Sequence, residues 1–88
     1  MKVIFHESFT RDLELVKDAG VRSRVRKVIE RVEACRTFTE IPHIKKLAGA
    51  KDMFRIRIGD YRIGVVVMGS TVSFVRILHR KNIYRYFS

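Results

Sequence analysis

Residues 54–88 hold seven basic side chains, Arg55, Arg57, Arg62, Arg76, Arg80, Lys81 and Arg85, against one acid, Asp60. Six of the seven are arginine, whose planar fork seats two N–H donors on a phosphate or carboxylate where lysine offers a point charge. Arginines on one phosphate could orient it and stabilise charge added to it. They cannot take a proton, because a guanidinium is effectively never deprotonated. Any chemistry here therefore needs a separate base. The sequence offers Lys81 and His79, histidine being the side chain that titrates near neutrality. The whole chain shares the bias, with 19 Lys and Arg against 9 Asp and Glu and a net charge of +10. Its pI of about 10.5 marks a nucleic-acid-binding candidate. Acidic proteins and anionic membranes attract such a charge too.

The elements that must position these groups can be read from hydrophobic periodicity. Three strands are expected at 54–58, 61–68 and 72–79, with Gly59-Asp60 as a two-residue hairpin turn and Gly69-Ser70 as the next turn. A two-residue loop sets the register of the first pair. Ile58 then faces Tyr61, Arg57 faces Arg62, Ile56 faces Ile63, Arg55 faces Gly64 and Phe54 faces Val65. Phe54, Ile56, Ile63 and Val65 share one face; Arg55, Arg57 and Arg62 share the other. Like charges directly opposite are unfavourable on a sheet. With glycine beside Arg55 leaving room above the strands, an anion over the pair would make physical sense of them.

The third strand poses a conflict. A plain two-residue turn at Gly69-Ser70 would set Arg76 opposite Ile63, in the core, at a cost of several kcal/mol for an unpaired buried charge. An odd shift, by a three-residue turn or a bulge, repairs this. Gly64 then faces Arg76, Ile63 faces Ile77 and Arg62 faces Leu78. Arg55, Arg57, Arg62 and Arg76 would sit together, with Arg80 reaching the same concavity. Val66, Met68, Phe74 and Leu78 would form an apolar patch on that face, which a partner would cover. On the residues alone three readings stand: solvated strand arginines, an RNA cradle, or a surface for an acidic protein.

The remaining chain frames this unit. Eighty-eight residues make one domain, 1–88. With 47% apolar and 32% charged residues the composition is globular, and no apolar run approaches the ~18 residues of a membrane span. Nor does the N-terminus carry the apolar stretch of a secretion signal. The expectation is a soluble cytoplasmic domain. Its one cysteine, Cys35, forms no internal disulfide and fits an apolar helix stripe. His43 has no second metal ligand nearby. Lys2 to His6 alternates as a strand. Ser8 or Thr10 can cap a helix running to about Asp18, with Gly20 as its stop. A second helix, about 22–36, has a stripe of Val21, Val25, Val28, Ile29, Val32 and Cys35. Its other faces carry Arg22, Arg24, Arg26, Lys27, Arg31 and Arg36, read as a solvated face or as a surface for RNA or an acidic partner. The stretch 37–52 is the least regular, and 80–88 is a short helix or arm. The class is α+β: an N-terminal strand, a two-helix hairpin and a three-stranded antiparallel meander, with the helices on one sheet face and the other partly bare.

Phe54-Arg55-Ile56-Arg57-Ile58-Gly59-Asp60-Tyr61-Arg62-Ile63, followed by Leu78-His79-Arg80-Lys81-Asn82-Ile83-Tyr84-Arg85, resembles the RelE/ParE superfamily, the toxins of bacterial and archaeal type II toxin–antitoxin pairs. The resemblance spans essentially the whole chain. RelE itself is a ribosome-dependent messenger-RNA endoribonuclease, whereas ParE-like members poison DNA gyrase and generally lack the basic catalytic set. The resemblance implies that Arg55 and Arg57 stand where RelE often has lysines. It implies likewise that Arg62 matches its strand arginine, Arg80 the arginine after the last strand, and Tyr84 the C-terminal tyrosine. These five would be catalytic, with Arg76, Lys81 and Arg85 binding RNA. Retaining them points toward RelE over ParE. The implied reaction is 2′-hydroxyl attack on the adjacent phosphate, with no metal or other cofactor. The implied partner is an antitoxin whose acidic or amphipathic segment covers the groove, the pair meeting its operator DNA only as a complex. A plain RNA-binding domain without cleavage is the remaining alternative. Tyr61, Tyr84, Tyr86 and Phe87 could stack bases, though core packing suits Tyr61 and Phe87 better.

Overall fold

The computed structural model describes residues 1–47 and 51–83. Strand β1 (Lys2–Phe5) leads into helices α1 (Glu7–Leu15) and α2 (Ala19–Ala34). A short 3₁₀ turn (Phe38–Glu40) and strand β2 (Ile44–Lys46) precede the meander β3 (Met53–Ile58), β4 (Tyr61–Met68) and β5 (Thr71–His79). The described strands form one sheet in the order β1-β5-β4-β3-β2, with β1 parallel to β5 and every other pairing antiparallel. The α+β class and the helix-on-sheet arrangement are as expected. Strand β2 is an addition: it lies in the stretch read as irregular and pairs Lys45 with Arg55. Three residues flanked by proline and a left-handed His43 are too few to leave a period-2 signal.

The helices cover one face. Val25, Val32 and Cys35 of the α2 region and Phe9 of α1 are buried with Ile56, Ile58, Ile63, Val65, Val67, Val72, Phe74 and Ile77 of the meander. The rings of Phe5, Phe9 and Phe74 meet at 5.4–5.9 Å between centroids. On the opposite face Leu47 and Ile83 are buried against Met53, Val66, Val75 and Leu78. The apolar patch expected to await a partner is thus covered in part by the chain itself. Phe74 is not on it: it belongs to the helix-side core.

The helix boundaries differ from the expectation. Helix α1 stops at Leu15, and Gly20 lies inside the first turn of α2 rather than ending α1. Asp18 is the N-cap of α2, its carboxylate accepting the Gly20 and Val21 N–H groups at 2.8 and 3.2 Å. An aspartate that satisfies two orphan donors of one helix overrides glycine's aptitude for ending another. From α2, Arg22 reaches back and donates to the Leu13 and Val16 carbonyls at 2.6 and 3.3 Å, capping α1. Asp18→Ala is expected to cost about 1 kcal/mol, read in thermal unfolding as a drop of roughly 4–8 °C for a domain this small.

The β3–β4 register is the expected one, Arg57 opposite Arg62 and Arg55 opposite Gly64. In β4–β5 the shift is present and is a bulge. Gly69-Ser70 remains a two-residue turn between Met68 and Thr71, and Val75 is the extra residue between the pairs Val65–Phe74 and Gly64–Arg76. Helix α1 holds this bulge. Strand β1 pairs with β5 only as far as Phe74, and α1 then supplies the edge partners. The Ser8 hydroxyl donates to the Val75 carbonyl at 2.6 Å, and the Ile77 N–H donates to Asp12 Oδ2 at 3.1 Å.

Candidate nucleic-acid interface

Arg76 is held by Asp12 of α1 and, among the described residues, lines neither of the concavities formed by the other arginines. Its Nε and Nη2 donate to the two carboxylate oxygens of Asp12 at 2.6 and 3.1 Å, and the side chains of the pair are 26% and 11% exposed. Alternation predicted Arg76 beside Arg55, Arg57 and Arg62; the structure corrects this. The register of Arg76 opposite Gly64, beside core-facing Ile77, is the expected one, but a carboxylate on α1 captures the guanidinium.

Four other arginines do converge. Arg57, Arg62 and Arg80 line one open concavity of ≈ 460 Å³ with Arg24, His43, Gly59 and Asp60. Its hub is the Gly59–Asp60 turn. Glycine supplies φ +55° there, a conformation that side chains with a Cβ resist. The Arg62 Nη1 donates to the Gly59 and Tyr61 carbonyls at 2.7 and 3.0 Å, which fixes its guanidinium against the turn. The Arg80 N–H donates to the Asp60 carbonyl at 2.8 Å, tying the end of β5 to the same turn. Arg57 and Arg80 are exposed, and among the described residues their side chains make no hydrogen bond or ion pair.

Arg55 stands apart from this group. It lines a neighbouring concavity of ≈ 280 Å³ with His43, Ile44, Lys45 and Arg57. The expected space beside it is absent, since Gly64 is buried. Its Nη1 instead donates to the His43 carbonyl at 3.2 Å, while its Nε is buried without a hydrogen-bond partner among the described residues. The two concavities share His43 and Arg57. His43 has φ +61°, uncommon for a residue other than glycine. Its turned backbone directs one carbonyl at both the Arg55 side chain and the Arg57 N–H, the latter at 3.3 Å.

Two residues of this surface carried no site signal in the sequence. Arg24 was one of many helix cations, and nothing local revealed that it overhangs a turn thirty-five positions later (Gly59). His43 is, in the sequence, a lone potential metal ligand with no second one nearby. Of the other expected residues, Lys81 is exposed beside the turn that follows β5. His79 stands across from Tyr61, ring centroids 5.9 Å apart, on the helix side and away from the concavity. Tyr61 packs against the core. Tyr84, Arg85, Tyr86 and Phe87 lie outside the described residues.

Among the described residues no helix is long and apolar enough to cross a membrane. With this geometry in hand, comparison with known proteins is informative. Residues 3–84 match the family model described as the ParE toxin of the type II toxin–antitoxin system parDE. Toxin RelE3 of Methanocaldococcus jannaschii is 42% identical over 88 residues, 99% of each chain. Among solved structures, the RelB–RelE antitoxin–toxin complex from Methanococcus jannaschii contains a chain 39% identical, with a TM-score of 0.82, covering 97% of this chain and 99% of that one. The RelE–RelB complex from Pyrococcus horikoshii contains a chain at 21% identity and a TM-score of 0.70, covering 90% and 93%; at that identity the likeness is one of fold.

Proposed function

Because this chain belongs to the ParE toxin family of type II toxin–antitoxin systems, and is a RelE-like toxin, we propose that it is an endoribonuclease that cuts messenger RNA on the ribosome. The observation that carries this reading is the meeting of Arg57, Arg62 and Arg80 around the Gly59–Asp60 turn, a set of forked cations lining an open concavity with, among the described residues, a single carboxylate, that of Asp60.

The reaction needs no redox step. The ribose 2′-oxygen attacks the adjacent phosphorus, the bond from phosphorus to O5′ breaks, and the products are a 2′,3′-cyclic phosphate and a 5′-hydroxyl. One proton leaves the 2′-hydroxyl and one reaches O5′. Arg62, held by the turn carbonyls, and Arg80, tied through its backbone to Asp60, stabilise the extra charge of the phosphorane. Arg57, directly opposite Arg62, orients the phosphate for in-line attack, and Arg55 supports it from the neighbouring concavity. Tyr84, the tyrosine the resemblance assigns to the site, acts as the base; Lys81 and Arg85 hold the RNA. The partner in the resting state is a cognate antitoxin, in keeping with the RelB–RelE complexes of the archaeal relatives. Its acidic segment covers the basic concavity, and the pair meets operator DNA as a complex. The toxin acts in the cytoplasm, where messages are translated.

The name of the matching family favours a second reading, inhibition of DNA gyrase. Primer extension on a translated message separates the two. Codon-phased 5′ ends are expected with the wild type and are expected to vanish in both Arg62→Ala and Tyr84→Phe. Growth arrest with DNA damage and intact messages would refute the nuclease and favour gyrase.

A further inference from the structure

The basic surface does not end at the residues that would hold the cleaved phosphate. Across three adjacent strands two like-charged pairs stand directly opposite, Lys45 with Arg55 and Arg57 with Arg62. Such pairs are destabilising on a sheet unless something shares their charge. They are two residues apart along β3, about 6.6 Å at the rise of a strand. Each pair lines its own concavity, and the two concavities share Arg57 and His43. On the far wall of the larger one stands Arg24, which comes from α2 rather than from the sheet. Its Nη1 passes 3.3 Å from where a Cβ on Gly59 would lie. Among the described residues Arg24 and Lys45 have no side-chain hydrogen bond or ion pair, and both are exposed.

We propose that these groups form one continuous track for a single RNA strand, with Arg24 and Lys45 as its two ends. Each binds a backbone phosphate flanking the one held by Arg57, Arg62 and Arg80. This rests on the RNA reading above and extends it to residues outside the reacting centre. The track enters past the overhang of α2 at the Gly59 turn and leaves over β2. A phosphodiester backbone carries one anion per nucleotide, so two cationic concavities side by side suit consecutive phosphates. An acidic peptide would need its carboxylates at the same repeat. Among the described residues Asp60 is the one carboxylate lining either concavity.

The test is binding of a short single-stranded 2′-O-methyl oligoribonucleotide, which cannot be cleaved, over a range of salt. Each phosphate contact on a single strand contributes about 0.7 to the slope of log K against log salt. Arg24→Ala and Lys45→Ala are each expected to lower that slope by about 0.7, and the double variant by about 1.4. Arg24→Lys, which keeps the charge, should retain the slope. Arg31→Ala, an exposed cation on the same helix lining neither concavity, should change nothing. In cleavage of a translated message, both alanine variants should raise the half-saturating concentration. A slope equal to that of Arg31→Ala in either variant, or a wild type that does not bind the oligonucleotide, overturns the track. Binding with the expected slopes but no cleavage of translated message by the wild type would leave the track standing and overturn the nuclease.

Discussion

Arg80→Ala is expected to lower the rate of message cleavage by about 10²–10³-fold, the usual cost of one lost donor to a developing oxyanion, while leaving the fold intact. The two halves of this result have separate physical causes. Arg80 lies at the end of β5, and what anchors it structurally is its backbone N–H on the Asp60 carbonyl at 2.8 Å. Alanine keeps that bond. The side chain is exposed and, among the described residues, makes no bond of its own, so stability should change by no more than about 0.5 kcal/mol. Arg62 is the instructive contrast. Its guanidinium also holds the Gly59 and Tyr61 carbonyls, so Arg62→Ala should lose both activity and some rigidity of the turn. Cleavage kinetics at saturating message, read beside thermal unfolding, check both. An Arg80→Ala protein that cuts within threefold of the wild type (a ratio worth about 0.7 kcal/mol) would remove Arg80 from the reacting centre.

Asp12→Ala is expected to cost about 2–4 kcal/mol, a large share of the roughly 5–15 kcal/mol that holds a small domain folded. One carboxylate receives both the Arg76 guanidinium and the Ile77 N–H. Its removal takes the carboxylate from a half-buried guanidinium and the acceptor from an edge donor of β5 together. The loss sits at the lower end of the range for a buried pair, because Arg76 is 26% exposed and can turn to water. Asp12→Asn keeps an acceptor for Ile77 and should lose about half as much. Arg76→Met combined with Asp12→Ala should recover part of the loss, since the half-buried charge that lost its carboxylate is then gone. Denaturant unfolding of the four proteins measures this. An Asp12→Ala protein within about 0.5 kcal/mol of the wild type would show that the bulge holds itself.

The consequence of that pair reaches the interface. Ser8 and Asp12 grip the bulge at Val75 and Ile77, and the bulge returns Ile77 to face Ile63 in the core. Without the extra residue, alternation would turn the later part of β5 over and carry its end, with Arg80, to the wrong face of the sheet. A helix on one side of the sheet thereby helps to present an arginine on the other.

What the amino-acid sequence determined by itself is what depends on near neighbours. Period-2 alternation and a glycine able to adopt positive φ were enough for the β3–β4 register, hence for Arg57 opposite Arg62. The cost of burying Arg76 was enough to demand a shift in β5. What only the tertiary structure decided depends on residues distant along the chain. The shift became a bulge because α1 offers edge partners where β1 ends. The Arg76 guanidinium was taken up by Asp12, sixty-four positions earlier, because that carboxylate was within reach. Gly64 is buried, so Arg55 found its partner in a carbonyl of His43 instead of open space. Arg24 joined the concavity because helix packing carried it over the Gly59 turn. Local rules set which groups a strand can present; where a long, charged side chain finally points is settled by the nearest partner in space, and sequence spacing does not encode that distance.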